Sequence, residues 1–223
     1  MAQKVRIGAL ASGGGTNLQA IIDRCLDHSI DAEIVLVISN NPEAGALERA
    51  RQAGLPCRCI NHRDYESRES YDQALVDALQ EAHVDLVVLA GFMRLITPVL
   101  LDAFPVRIMN IHPALLPAFP GLHVQRKAIE YGARFSGCTV HFVDNGVDTG
   151  PIIIQAVVPV LDDDTEATLA ARILKQEHRI YPQAIQLFAQ GRLHIEGRRV
   201  RILPPLTPPD SALTNPSVEV PGT

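Results

Sequence analysis

Three short runs constrain this chain most. Val5-Arg6-Ile7-Gly8-Ala9-Leu10-Ala11, Ala32-Glu33-Ile34-Val35-Leu36-Val37-Ile38-Ser39 and Val84-Asp85-Leu86-Val87-Val88-Leu89-Ala90 are nearly continuous in apolar residues, and their charges sit near the start. Runs of this length, rich in β-branched residues, mark strands covered on both faces, as in a parallel sheet. Helical stretches lie between them. One follows Ser12-Gly13-Gly14-Gly15-Thr16-Asn17 from about Leu18 to Asp27, with Leu18, Ile21, Ile22 and Leu26 on one stripe; the others end near Ala53 and span about Asp64 to Ala82. Strand and helix therefore alternate. The predicted class is α/β: a Rossmann-like, mostly parallel sheet with helices on both faces.

The later part of the chain changes pattern. Ser136 to Val143 and Ile152 to Val160 read as an antiparallel pair joined by the polar tip Asp144-Asn145-Gly146-Val147-Asp148-Thr149-Gly150-Pro151. Thr165 caps a long helix to about Gln190, and Arg192 to Ile195 with Arg198 to Leu203 form a final hairpin. His141 lies mid-strand among core residues and reads as structural. From Pro204 on, Pro, Ser, Thr and Asn dominate, so 204–223 reads as a disordered tail and 1–203 as the folded domain.

At 223 residues and 47% hydrophobic, the chain can bury a sizeable core. A net charge of −5 argues against nucleic-acid or acidic-membrane partners, which need a basic field. Of the four cysteines only Cys57 and Cys59 are close, and Cys-x-Cys lacks the two pairs of a zinc site. Free thiols in a reducing compartment fit better. With no signal core or membrane-length run, the expectation is a cytoplasmic protein without metal.

Two segments carry chemistry. The glycine turn joins a strand to a helix, where free backbone N–H groups and the positive helix end attract anions. It lacks the Gly-Lys-Ser/Thr of a Walker loop, and Leu18 stands where a dinucleotide fingerprint has its third glycine. A phosphate site and a plain tight turn capped by Thr16 both remain open.

The second segment is Met109-Asn110-Ile111-His112-Pro113. Residues two apart on a strand share a face, so Asn110 and His112 project side by side until Pro113 ends the pairing. An amide beside an imidazole can polarise a carbonyl. Asp144 and Asp148 are either turn acids or the carboxylate that orients His112. Gly91-Phe92-Met93-Arg94-Leu95-Ile96-Thr97-Pro98 leaves the sheet's C-terminal edge, where a flat apolar ligand could lie on Met93, Leu95 and Ile96.

Ser12 to Ile21, Leu89 to Arg94, Asn110 to Pro117, Val147 to Ile152 and Gln176-Glu177-His178-Arg179-Ile180-Tyr181-Pro182, in this order and spacing, resemble the phosphoribosylglycinamide formyltransferases, from about Val5 to Leu203. Ala114 and Thr149 depart from the commoner family spelling, which has Ser at the first and often Gly or Ala at the second. The resemblance implies transfer of a formyl group from 10-formyltetrahydrofolate to the amine of glycinamide ribonucleotide, in purine biosynthesis and one-carbon metabolism.

It implies roles as well. Asn110, His112 and Asp148 would be catalytic. Gly15, Thr16 and Asn17 would take the nucleotide's phosphate, and Glu177 its ribose. Arg68 would meet the folate's glutamate carboxylate, with Met93, Arg94, Leu95, Ile96, Asn110, Asp144 and Val147 around the pterin. The nucleotide half would be about 1–103, the folate and catalytic half about 104–203. A homodimer is compatible with this picture. A hydrolase of the formyl donor would carry an extra N-terminal domain, and an enzyme acting on initiator tRNA a further C-terminal domain and a basic surface. A non-catalytic nucleotide-binding module would leave Asn110, His112 and Asp148 without a task.

Overall fold

The computed structural model describes residues 4–206, Leu213 and Asn215. The first part alternates strand and helix: β1 (Val5–Ala11), α1 (Thr16–Leu26), β2 (Ala32–Ser39), α2 (Gly45–Gln52), β3 (Cys57–Cys59), α3 (Arg68–Glu81), β4 (Leu86–Leu89), α4 (Pro98–Ala103) and β5 (Ile108–His112). Then come α5 (Val124–Tyr131), the antiparallel pair β6 (Phe135–Phe142) and β7 (Ile152–Pro159), α6 (Glu166–Ala189), and the hairpin β8 (Leu193–Glu196) with β9 (Arg199–Ile202). All nine strands form one sheet in the order β3-β2-β1-β4-β5-β6-β7-β9-β8. Pairing is parallel from β3 to β5 and antiparallel from β5 to β7.

Strand alternation divides the core in two. Ile7, Ala9, Ala11, Leu86, Val88, Met109 and Ile111 pack toward α1, α2, α5 and α6. Leu10, Val87, Leu89 and Ile108 pack toward α3 and α4. That is why the three founding runs tolerate so few polar side chains. Asn110 and His112 share parity with Ile108, so they look toward the α3–α4 side beyond the end of that core.

Several expected elements shift. Helix α1 begins at Thr16, capped by Gly15 in the left-handed region (φ 73°) with no side-chain cap, so Thr16 is not the cap. Leu26 closes that helix but is 65% exposed; the stripe stops at Ile22. The helix expected from Asp64 splits into a 3-10 turn at His62–Asp64 and α3, which Ser67 opens with a capping box. Helix α4 has no counterpart in the sequence reading, because Pro98–Ala103 is too short to display a 3.6-residue period. The expected tail lies largely outside the described residues. Asn215 is described, and its Nδ2 donates to the carbonyls of Arg134 and Val160.

No helix among the described residues is long and apolar enough to cross a membrane.

Candidate active site

The C-terminal ends of β1, β4 and β5 open side by side, where the strand order reverses between β1 and β4. Ligands of open α/β sheets bind at such a switch point. At β1 the chain turns through Gly13, Gly14 and Gly15. A Cβ on Gly15 would stand 2.7 Å from the Cα of Ala46, so backbone conformation and close approach both require glycine there. Gly15→Ala is therefore expected to cost about 1–3 kcal/mol of stability. Thermal unfolding checks the loss.

Asn17, buried at the start of α1, donates its amide to Glu177 Oε2 at 2.7 Å across 160 residues of chain. Glu177 comes from α6, so the second half of the chain completes what the glycine turn begins. Burial raises the carboxyl pKa of Glu177, and the Asn17 amide partly offsets this. The Asn17 carbonyl oxygen is buried with no partner. Because the native state holds the Glu177 proton more tightly than the unfolded chain does, stability falls as pH rises from the unfolded carboxylate value through the raised native one. Glu177→Gln keeps an acceptor for Asn17 and removes the charge. It is expected to flatten that fall in a pH series of unfolding midpoints.

At the end of β5, His112 is 5% exposed and both ring nitrogens are engaged. Nδ1 lies 3.4 Å from Asp148 Oδ2, and Nε2 lies 2.9 Å from the carbonyl oxygen of Phe119. A carbonyl only accepts, so Nε2 carries a proton in this arrangement. Asp148 Oδ2 also accepts from the Gly121 N–H at 2.9 Å. The His–Asp pair is thus bracketed by two backbone groups of one loop, the Phe119 carbonyl and the Gly121 amide. That loop is unusual: Phe119, Gly121 and His123 all have φ between 51° and 82°, and Asp148 itself has φ 55°. Positive φ at non-glycine residues clusters at functional sites.

Asn110 donates its amide to His141 Nε2 at 3.2 Å, while His141 Nδ1 donates to the Phe142 carbonyl at 2.8 Å. Burial lowers the pKa of His141, against the pull of the Phe142 carbonyl and Asp148, and keeps the ring neutral as an acceptor. His141 is buried, as the sequence reading has it, yet it also orients Asn110 and stands 3.8 Å from Asp148 Oδ1. Periodicity alone holds no sign of this; the signal lies in its place opposite Asn110 in the β5–β6 register.

Supporting contacts come from far away. The buried Tyr181 hydroxyl on α6 reaches the carbonyls of Leu89 and Met109, tying β4 to β5 just before Asn110. Thr139 donates to the Ala114 carbonyl and accepts from the Leu116 N–H, fixing the chain after His112. Gly150 lets the Asp148 loop return, since a Cβ there would lie 1.8 Å from the Phe142 carbonyl. Asp144 serves as a turn acid, accepting from Gly146 N and from Thr149 Oγ1. Thr149, a departure from the family spelling, thereby tightens the loop.

Most of the remaining expected residues face solvent. Met93, Leu95 and Val147 are 67%, 55% and 48% exposed. Arg94 sits over the Tyr71 ring at 5.9 Å, and Arg68 is exposed in the first turn of α3. Among the described residues, no hydrogen bond or ion pair joins Arg68 or the 93–96 segment to the His112–Asp148 cluster, and no group of three or more His, Cys, Asp and Glu side chains could hold a metal. A polarising amide, an imidazole backed by a carboxylate, a helix N-terminus and an exposed apolar rim together suit acyl transfer between a phosphorylated amine and a flat donor.

Comparison with known proteins agrees with that chemistry. Residues 5–185 match the formyl transferase family. The chain belongs to this family. It is 47% identical over 189 residues to the phosphoribosylglycinamide formyltransferase of Escherichia coli (strain K12), covering 85% of this chain and 89% of that one. It is 51% identical over 191 residues to the trifunctional purine biosynthetic protein adenosine-3 of Drosophila melanogaster, of whose length it spans 14%. Among solved structures, glycinamide ribonucleotide transformylase 1 from Symbiobacterium toebii superposes with a TM-score of 0.90 at 58% identity, covering 91% of this chain and 96% of that one.

Proposed function

We propose that this chain is a phosphoribosylglycinamide formyltransferase, moving the formyl group of 10-formyltetrahydrofolate onto the amine of glycinamide ribonucleotide. The bracketed His112–Asp148 pair beside Asn110 carries the reading. The nucleotide phosphate takes the N–H groups at Gly15, Thr16 and Asn17, and Glu177 receives ribose hydroxyls. The pterin lies against Met93 to Ile96 and the loop from Asp144 to Val147. Arg68 meets the donor's glutamate carboxylate.

The amine attacks the formyl carbon, and its oxygen becomes an oxyanion. Asn110 Nδ2 and His112 donate to that oxygen. His112 Nε2 already faces an acceptor, the Phe119 carbonyl; the oxyanion takes that place when the 118–123 loop shifts. Asp148 stabilises the imidazolium and accepts, directly or through water, the proton that the amine loses. Collapse of the intermediate expels the folate nitrogen, which takes up, directly or through water, the proton that the amine gave to Asp148. Nothing in these steps needs a metal or a covalent nucleophile.

A carbon-13 formyl donor distinguishes this reaction from donor hydrolysis. With glycinamide ribonucleotide present, the label is expected on the nucleotide's glycyl amide. Label found only as free formate would overturn the transferase reading.

A further inference from the structure

The segment Gly91–Thr97 forms no helix or strand, yet it holds Met93 and Leu95 more than half exposed. Left to itself, such an apolar stretch would collapse onto the neighbouring core. Two side chains from distant parts of the chain prevent this. Ser12 Oγ, at the end of β1, accepts the Met93 N–H at 2.8 Å. Its own proton is committed to Asn40 Oδ1 at 2.6 Å, so a lone pair is held toward Met93. The Ser12 N–H also donates to the Gly91 carbonyl at 3.0 Å. At the other end, the carboxylate of Asp72 on α3, 1% exposed, accepts the Thr97 N–H. The neighbouring Tyr71 supplies the ring beneath Arg94.

We propose that Ser12 and Asp72 are positioning residues for the formyl donor, pinning the two ends of the Gly91–Thr97 segment so that Met93 to Ile96 stand outward as the pterin wall. This rests on the reading of that wall given above. Neither residue touches reacting atoms, and the effect should fall on donor binding.

The test is a kinetic split combined with amide hydrogen exchange. Ser12→Ala is expected to raise the KM for 10-formyltetrahydrofolate about tenfold, the scale of one lost hydrogen bond, and to speed exchange of the Met93 amide. The KM for glycinamide ribonucleotide and kcat at saturating donor should stay within about twofold. Ser12→Thr, which keeps the hydroxyl, should restore both readouts. Asp72→Asn keeps an acceptor for Thr97 and should behave nearly as wild type, whereas Asp72→Ala should raise the donor KM. If Asp72→Ala does not fold, Ser12→Ala decides alone. An unchanged donor KM in Ser12→Ala, or equal rises in both KM values, would overturn the pinning role in an otherwise active enzyme. Failure of the wild-type chain to consume the donor at all would instead overturn the functional reading beneath it.

Discussion

Asp148→Asn is expected to lower kcat about a thousand- to ten-thousand-fold, the scale of exchanging the carboxylate partner of a catalytic imidazole for an amide, while both substrates bind with near-normal affinity. The substituted amide can still accept the Gly121 N–H through its carbonyl oxygen, so the loop bracket survives. What changes is the face toward His112. The oxygen that accepts from Gly121 is also the one that meets Nδ1, so an uncharged amide oxygen would now stand at the 3.4 Å where a carboxylate stands. It carries no charge to balance a protonated ring, so it penalises the imidazolium that the reaction requires. It also cannot accept the amine's proton. Steady-state turnover with calorimetric titration of each ligand separates these effects. Wild-type-like turnover, or loss of binding with normal kcat, would contradict the role given to Asp148.

His112→Asn is expected to cost about a hundred- to a thousand-fold in kcat, as for loss of one oxyanion donor. The substitution leaves a small polar side chain in a buried position and removes the ring that joins Asp148 to the Phe119 carbonyl. Asp148 keeps the Gly121 amide, so its charge is not stranded, and the fold should persist with a loss of about 1–3 kcal/mol. The KM for glycinamide ribonucleotide should change little, because Asn17 and Glu177 lie in a separate hydrogen-bonded unit. Denaturant midpoints and initial rates check the two halves of the statement independently.

Much of the architecture follows from alternation within the strands. Leu10 and Val87 turn to one face while Ile7, Ala9, Leu86 and Val88 turn to the other, and both faces are covered. Apolar runs show that directly. Helix α4 and the true start of α1 were not legible in the same way. The first is too short for a period, and the second depends on the positive φ of Gly15 rather than on a polar cap. In the site, the pairing of Asn110 with His112 followed from strand spacing, whereas spacing left Asp144 and Asp148 as equal candidates; the family resemblance singled out Asp148, and the fold places it 3.4 Å from His112. The Phe119 carbonyl and the Gly121 amide were not, since backbone groups carry no residue signature and their aim depends on the sign of φ through the loop. Ser12, Asp72 and His141 escaped for another reason. Their types are ordinary, and only long-range packing brings them to Met93, Thr97 and Asn110.

In the proposed reaction Asn110, His112 and Asp148 surround the formyl carbon. A crystal structure with glycinamide ribonucleotide and a formyl-folate analogue that cannot release its formyl group tests it most directly. The formyl oxygen is expected within hydrogen-bonding distance of Asn110 Nδ2 and the His112 ring, with the Phe119 carbonyl displaced and the glycyl amine within reach of Asp148. A formyl group seated elsewhere, with the Phe119 carbonyl still against His112 Nε2, would contradict it.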